Sequence, residues 1–292
     1  MKPAPFKYIA ASSLAEALVL KARYGEEARF LAGGQSLIPA MNFRLARPAV
    51  LIDINGLTEL ASIDRSNAQA IRLGALTRYR AMEKDAGFLG ACRLFADALP
   101  HIAHPQIRNR GTIGGNLCHA DPASELPAVA VAMQARMHIK SSRDERELAA
   151  ADFFVAPLTT DLAAEEMLVE IAFPAATPRS GASFMEVARR RGDFALAGVA
   201  AVVSLDEEER CAGIRLVFCG VGETPLDAST SASSLIGQRC TDKAIAAAAA
   251  DVRRMVAPAG NIHASAEYQR HIAEILTRRA IATACDRVAH AA

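Results

Sequence analysis

Two short glycine-rich segments are the places in this 292-residue chain where bare backbone could take hold of an anion. The first is Phe30-Leu31-Ala32-Gly33-Gly34-Gln35-Ser36-Leu37: an apolar run, two glycines, two hydrogen-bonding side chains, then a helix start. The second is Arg110-Gly111-Thr112-Ile113-Gly114-Gly115-Asn116, with Arg108 just ahead of it. Glycine adopts φ > 0 readily and leaves the main chain uncovered, so a phosphate oxygen can reach backbone N–H groups. Gln35, Ser36, Thr112 and Asn116 add a further set of donors, and Arg108 and Arg110 could offset a dianionic pyrophosphate. One such segment alone reads as an ordinary strand-to-helix turn. Two of them, each flanked by apolar stretches, point to half-sites that close on a single pyrophosphate. Neither segment matches the dinucleotide fingerprint G-x-G-x-x-G or the P-loop, and the near miss at Gly220-Val221-Gly222 is broken by Pro225.

No other side-chain set offers comparable chemistry. His101 and His104 are three apart with no third metal ligand near, and the adjacent Cys118–His119 pair suits structure better than nucleophilic catalysis. The six cysteines are scattered without a C-x-x-C pair, which argues for reduced thiols and against an iron–sulfur or zinc site in this chain. No catalytic acid–base pair is evident and no metal is expected. A net charge of +1, aromatics at 5% and no tryptophan argue against a nucleic-acid platform or an anionic-membrane binder, while 51% hydrophobic residues suffice for a packed core. No apolar run reaches the ~20 residues of a membrane span. Lys2, Pro3 and Pro5 leave no room for an export signal, so a cytoplasmic protein is expected.

The elements that must position the loops can be read from pattern. Ser12–Ser13 should cap a helix running to Tyr24, with Gly25 as its stop. Ala28–Ala32 reads as the strand entering the first loop, and Val50–Ile54 as another, closed by Asn55–Gly56. Ala70–Leu76 reads as a strand, Thr77 as the cap of a helix Arg78–Ala86, and Ala91–Leu99 as a second helix. After the second loop, Asp121–Pro122 should start a buried helix through Ala128, Val131 and Met133. Leu168–Phe173 is a strand, and the run Pro174–Gly181 is the best domain joint. Beyond it come three strands, Ser183–Ala188, Ala195–Leu205 and Ile214–Gly220, then helices Thr241–Val256 and Ala264–Val288. Strands first and helices last predict an α+β fold, not a doubly wound parallel sheet.

The pair A-G-G-Q-S at Ala32–Ser36 and T-I-G-G-N at Thr112–Asn116 resembles the FAD-binding medium subunit of molybdenum hydroxylases, the family of aerobic carbon monoxide dehydrogenase and the xanthine dehydrogenase flavin domain. The resemblance extends to H-P-Q-I-R-N-R-G (His104–Gly111), R-R-G-D-F-A (Arg190–Ala195) and A-S-A-E-Y-Q-R (Ala264–Arg270), and so covers nearly the whole chain. It implies a two-part FAD-binding domain of the vanillyl-alcohol-oxidase/PCMH type over residues 1–176, with subdomains of about 1–57 and 58–176. A smaller C-terminal α+β domain, a three-stranded antiparallel sheet with helices, would follow over 177–292.

The resemblance also assigns cofactor contacts. Phe30, Leu31, Ala32, Gly33, Gly34, Gln35, Ser36 and Leu37 would hold the FAD diphosphate from one side, and Thr112, Ile113, Gly114, Gly115 and Asn116 from the other. Glu125, thirteen residues after Thr112, would meet the cofactor, Ile102 would lie near the ring system, and Leu168 would supply a main-chain or apolar contact. Phe194 would lie against the isoalloxazine. Met185 falls where some relatives place a contacting lysine, for which Arg189 or Arg191 could substitute. By pattern alone Phe194 also reads as a core residue heading a strand, Glu125 as an ordinary first-turn helix acid, and Arg189–Arg191 as a solvated turn or a partner-docking patch.

The activity implied is that of an oxidoreductase component. A large molybdopterin-cofactor subunit would oxidise the substrate, a small subunit with two [2Fe–2S] clusters would pass electrons to FAD in this chain, and an external acceptor would take them. The assembly implied is a heterotrimer, often dimerised. Two rival readings are a stand-alone FAD-dependent reductase of the same fold and a flavin-free scaffold whose glycine loops are only turns.

Overall fold

The computed structural model of the protein describes residues 1–289. Its N-terminal layer is a small parallel sheet of β1 (Lys7–Ala10), β2 (Ala28–Leu31) and β3 (Val50–Asp53) in the order β1-β3-β2. Helix α1 (Leu14–Tyr24) makes the crossover that parallel pairing requires. Ser13 caps it as expected, its hydroxyl accepting from the Glu16 amide at 3.1 Å. Burial of Ala17 and Leu18 on one face brings Lys21 inside with them. The Lys21 ammonium answers its burial by donating to the Gly25 and Ala28 carbonyls at 2.6 and 2.9 Å. The short helix α2 (Leu37–Asn42) follows the first glycine loop.

The second layer is an antiparallel sheet of β4 (Ile63–Asp64), β5 (Ala70–Gly74), β6 (Arg136–Lys140), β7 (Glu145–Ala149) and, after the small β8 (Phe154–Ala156) and β9 (Thr159–Thr160) hairpin, β10 (Met167–Pro174). Its order is β4-β5-β10-β6-β7. Strands β6 and β7 have no counterpart in the sequence reading. Met137 and Ile139 alternate inward, but the outward face is charged and held by cross-strand pairs, Lys140–Glu145 at 2.7 Å and Arg136–Glu147 at 2.6 Å. Against this sheet pack α3 (Tyr79–Lys84), α4 (Ala86–Ala91), α5 (Arg93–Ala98), α6 (Pro105–Arg108), α7 (Ile113–His119), α8 (Glu125–Ala132) and α9 (Ala150–Phe153). Phe95 joins helices to sheet, 5.0 Å from the Phe88 ring and 5.1 Å edge-on to Phe173.

Two expected helix starts move. Thr77 is not a cap: its buried hydroxyl donates to the Ser62 carbonyl, and Arg78 takes the position before α3. Asp121–Pro122 does not begin α8 either. Asp121 instead closes a turn, accepting the Ala123 amide at 2.9 Å, and Ser124 precedes the helix. A short acid side chain serves a turn and a cap equally well, so spacing alone could not decide. All eight residues of α8 are buried, in keeping with its apolar composition.

The C-terminal sheet comprises β11 (Ser180–Ala188), β12 (Ala195–Leu205), β13 (Cys211–Cys219) and β14 (Leu226–Asp227), antiparallel and in that order. It has four strands where three were expected, because β14 is only two residues long and leaves no periodic signal. Helices α10 (Asp242–Met255) and α11 (Ala266–Ala289) cover one face through Ile245, Val252, Ile272, Leu276 and Ile281. The other face, through Phe184, Ala200 and Val217, joins the core of the second layer. Hence β12 is apolar throughout (ALAGVAAVVSL): it is covered on both sides. Arg287 pairs with Asp97 across this seam at 2.5 Å, and Arg215 donates to the Ala132 carbonyl at 2.7 Å. All six cysteines are free, and Cys211, Cys240 and Cys285, distant in sequence, pack into one core.

Candidate flavin site

The two glycine loops are brought into contact. Gly33 is buried against the backbone of the second loop: a Cβ built on it would fall 2.5 Å from the Arg110 carbonyl oxygen and 3.0 Å from Gly111 Cα. Ala32 Cβ lies 3.8 Å from the corresponding position on Gly115. Four of the five loop glycines divide into two kinds. Gly33 and Gly114 are packing positions, Gly114 donating its amide to the Ala75 carbonyl at 2.8 Å with Ala75 Cβ 2.6 Å from its own Cβ position. Gly34, at φ +71, takes a backbone conformation that favours glycine, and Gly115 is exposed. Gln35 and Ser36 are exposed; Gln35 donates to the Gly33 carbonyl at 3.1 Å, while Ser36 caps no helix amide. Phe30, Leu31 and Leu37 are half-buried and hold the two ends of the loop.

A pair of side chains missed in the sequence reading staples the loops together. Asn55 donates from Nδ2 to the Leu31 and Ala32 carbonyls at 3.1 and 2.9 Å. Its Oδ1 accepts from Arg78 at 2.5 Å, and the same guanidinium donates to the Arg110 carbonyl. The main chain repeats the connection, with an Arg78–Thr112 bridge and the Tyr79 amide bonded to the Gly111 carbonyl at 3.1 Å. No spacing rule could find this pair, because Asn55 and Arg78 meet partners 23 and 32 residues away in the chain.

The expected donors of the second loop are partly committed to the fold. Thr112 is buried and its hydroxyl caps α7, accepting from the Gly115 amide at 3.2 Å, with Ile113 buried behind it. The Asn116 amide exchanges two hydrogen bonds with the Ser124 hydroxyl, at 2.8 and 3.0 Å. Arg108 is also structural, bonded to Glu83 at 2.8 Å and to the Ile102 and Ala103 carbonyls at 2.9 Å each. Arg110 alone of the two expected arginines is exposed, and its guanidinium makes no ion pair among the described residues. What remains for an anion is main chain, Ser36 and Arg110.

Beyond Asn116 the site runs into the seam between the domains. Glu125, bonded to the loop through its neighbour Ser124, is 4% exposed. Burial, and then the neighbouring Glu186 charge, pushes its carboxyl up to about 8, which favours its neutral form. Phe194 is 62% exposed and belongs to no core cluster, so the reading of it as a packed core residue falls. Its loop rests on the turn after α5: the Cβ position of Gly192 is 2.7 Å from the His104 ring and 2.9 Å from the Ala103 carbonyl. On the other side the Gly220 amide donates to the Pro122 carbonyl at 2.8 Å. Gln269 on α11 pins both strand ends, donating to the Leu196 and Gly220 carbonyls at 2.8 and 2.9 Å. Ile102 and Leu168 are buried in the core, which leaves only their main chain for any ligand. Met185 packs into the C-terminal core, and exposed Arg189 is paired with Asp193 at 3.2 Å. Arg191 is exposed.

Backbone-lined loops stapled to one another, with a buried acid and an uncovered aromatic beyond them, form a candidate dinucleotide site of a kind that lacks the classical fingerprint. Comparison with known proteins agrees. Residues 4–176 match the FAD binding domain in molybdopterin dehydrogenase, and residues 182–284 match the CO dehydrogenase flavoprotein C-terminal domain. The chain is 39% identical to the 6-hydroxypseudooxynicotine dehydrogenase complex subunit alpha of Paenarthrobacter nicotinovorans, over 98% of this chain and 97% of that one. It is also 39% identical to caffeine dehydrogenase subunit beta of Pseudomonas sp. strain CBB1, over 99% and 98%. The structure of carbon monoxide dehydrogenase from Hydrogenophaga pseudoflava superposes with a TM-score of 0.94 at 34% identity, covering 98% of this chain and 99% of that one. The chain belongs to the FAD-binding medium-subunit family of the molybdenum hydroxylases; it is an oxidoreductase component and its cofactor is FAD. Among the described residues no helix is long and apolar enough to cross a membrane, and no group of three or more His, Cys, Asp or Glu could hold a metal.

Proposed function

We propose that this chain is the electron-transfer subunit of a cytoplasmic molybdenum hydroxylase. It takes electrons from a small [2Fe–2S] subunit, delivers them to an external acceptor, and assembles with that subunit and a large molybdopterin subunit as a heterotrimer. Bound FAD supplies the exchange between single-electron delivery and two-electron acceptance. The chain's own part is binding and insulation, divided between residues 1–176 and 177–292. In this reading the main chain of Phe30–Leu37 and Thr112–Asn116 surrounds the diphosphate. Arg110 offsets its charge, Glu125 donates a hydrogen bond, Ile102 and Leu168 offer main chain, and Phe194 shields the ring with Arg189 behind it.

The observation that carries the reading is the backbone contact of Gly33 with Arg110–Gly111, which brings the two glycine loops together at one place. The test is to purify the chain, incubate it with FAD and record the visible flavin spectrum after gel filtration. A stoichiometric yellow protein is expected. Coexpression with a molybdopterin subunit and a [2Fe–2S] subunit should yield one complex of three chains. A chain that stays colourless with FAD, or that turns over NADPH alone, would overturn the assignment.

A further inference from the structure

The segment that leads out of the first glycine loop holds large apolar side chains in water on a fixed backbone. Helix α2 is anchored by Met41, which is buried, and it ends in a left-handed cap. The Phe43 amide donates to the Pro39 carbonyl at 3.0 Å, the Arg44 amide to Met41 at 2.9 Å and the Leu45 amide to Ala40 at 2.9 Å. Arg44 stands at φ +58, a position that such caps usually give to glycine. In caps of this pattern the apolar residue that follows commonly packs back onto its helix. Leu45 does not: it is 85% exposed, and Phe43, on the other side of Arg44, is 67% exposed. Single exposed apolar residues are ordinary, whereas two held out by one hydrogen-bonded turn call for a cover.

The surroundings of the turn are cationic. Residues 1–15 and 28–52 carry Lys2, Lys7, Arg29, Arg44 and Arg47 and no acid. The N-terminal segment lies alongside: Arg44 Nε donates to the Lys2 carbonyl at 3.4 Å, and the Lys7 amide to the Ala49 carbonyl at 2.8 Å. Exposed Arg44 and Arg47 bond only main-chain carbonyls, Arg47 Nε to that of Arg44 at 2.9 Å, and pair with no acid among the described residues. Asp53, the next acid along the chain, is engaged by the Tyr8 hydroxyl at 2.5 Å and by Asn55. An apolar centre with arginines about it has the composition of an interface anchor, and uncompensated cations select a partner with an acidic rim. We infer that the Phe43–Leu45 turn is the docking point for an acidic-rimmed protein, the small [2Fe–2S] subunit of the proposed assembly. The identity of that partner rests on the functional reading above. The turn continues the first flavin loop: α2 starts at Leu37, and Ile38 Cγ1 lies 3.2 Å from the Cβ position of Gly34. In that assembly the [2Fe–2S] subunit is the chain that must pass electrons to the flavin, and electron transfer weakens steeply with distance. Seated here it covers Phe43 and Leu45 and sets its acids against Lys2, Arg44 and Arg47.

The experiment measures binding of the full, FAD-loaded chain to a [2Fe–2S] subunit and, separately, to a molybdopterin subunit, over a series of salt concentrations. Phe43→Ser combined with Leu45→Ser should fold and load FAD as the wild type does, because both side chains are exposed. It should bind the [2Fe–2S] subunit at least about tenfold more weakly, the loss expected of an interface anchor. Arg47→Glu should slow association with that subunit and reduce its salt dependence. Val19→Ser, at an exposed apolar residue of α1, should change neither. Undiminished affinity of the double variant for the [2Fe–2S] subunit overturns the inference. So does a loss confined to the molybdopterin subunit, a change confined to self-association of the chain, or a wild type that loads FAD and binds no [2Fe–2S] subunit. A chain that takes up no FAD overturns the flavin reading instead, and the docking point is then decided by the same comparison on the apo chain.

Discussion

Gly33 and Arg110 meet backbone to backbone: the position of a Cβ on Gly33 lies 2.5 Å from the Arg110 carbonyl oxygen. That distance is below any real Cβ contact, so even a methyl group would push the two loops apart. Gly33→Ala should therefore cost about 1–3 kcal/mol of stability, in the range of an overpacked core, and should weaken FAD binding as well. Gly90 in α4 is the control. A Cβ there meets nothing within 4 Å, and Gly90→Ala should stabilise by about 0.5–1 kcal/mol through the unfolded chain. Denaturant unfolding of the two variants checks both signs.

The Asn55–Arg78 staple makes a separate prediction, because it holds the loops without lying on the ligand's own contact list. Asn55→Ala removes two bonds to the first loop and the acceptor for Arg78. An interaction involving a charged donor is worth roughly 1.5–3 kcal/mol where water is excluded. Both groups are half-buried here, so about tenfold weaker FAD binding is expected, near 1.4 kcal/mol. Arg78→Met should do the same, and the double variant should lose less than the sum, since the two share one network. Quenching of flavin fluorescence on titrating apoprotein measures all three.

How much of this was legible beforehand follows from where each signal lives. Glycine pairs after apolar runs are local, and they marked both loops; the Ser13 cap and the long C-terminal helix are local too. What escaped was nonlocal or ambiguous. Asn55 looked like a turn residue because its partners are far along the chain, and β6 and β7 went unread because each outward charge is matched only by the neighbouring strand. Asp121–Pro122 misled for the opposite reason: the pattern was locally perfect for a helix start and was used for a turn three residues earlier. Phe194 could not be sorted into core or site by alternation, because it precedes β12 and its facing is set by how its loop is anchored.

Glu125 gives a pH dependence with a definite sign. Its folded carboxyl is pushed up to about 8, whereas the ordinary value is 4.5. A carboxyl raised on folding contributes stability that is fully present below the lower value and is lost as pH rises through the upper one. Stability should thus fall between about pH 4.5 and about pH 8 by on the order of a few kcal/mol, as the unfolded state ionises first. Glu125→Gln should flatten that window. Chemical denaturation at a series of pH values, wild type against variant, isolates the difference.

Arg287 and Asp97 join the two domains at 2.5 Å with side chains 29% and 14% exposed, and Asp97 also accepts the Phe184 amide at 3.2 Å. Arg287→Ala would leave the largely buried Asp97 carboxylate with only the Phe184 amide and the exposed Arg93, 3.6 Å away, as partners. The expected cost is about 1–3 kcal/mol after allowance for partial exposure. Arg239→Ala, which breaks an exposed pair with Glu209, should change stability by less than about 0.5 kcal/mol. Added salt should narrow the gap between wild type and Arg239→Ala and leave that for Arg287→Ala nearly unchanged.

Phe194 separates a ligand contact from a packing contact in one substitution. A phenylalanine in a core costs about 3–5 kcal/mol when cut to alanine, because it leaves a cavity. Phe194 is 62% exposed, so Phe194→Ala should leave apoprotein stability within about 0.5 kcal/mol of the wild type. In the proposed site the same change removes the aromatic face that shields the flavin, and an offset aromatic pair is worth about 0.5–1.5 kcal/mol beyond its area. Flavin affinity should fall about three- to tenfold, and the bound flavin's fluorescence should rise as shielding is lost. Both readouts are needed. Unchanged stability with unchanged affinity would make Phe194 a bystander, whereas lost stability would return it to the core.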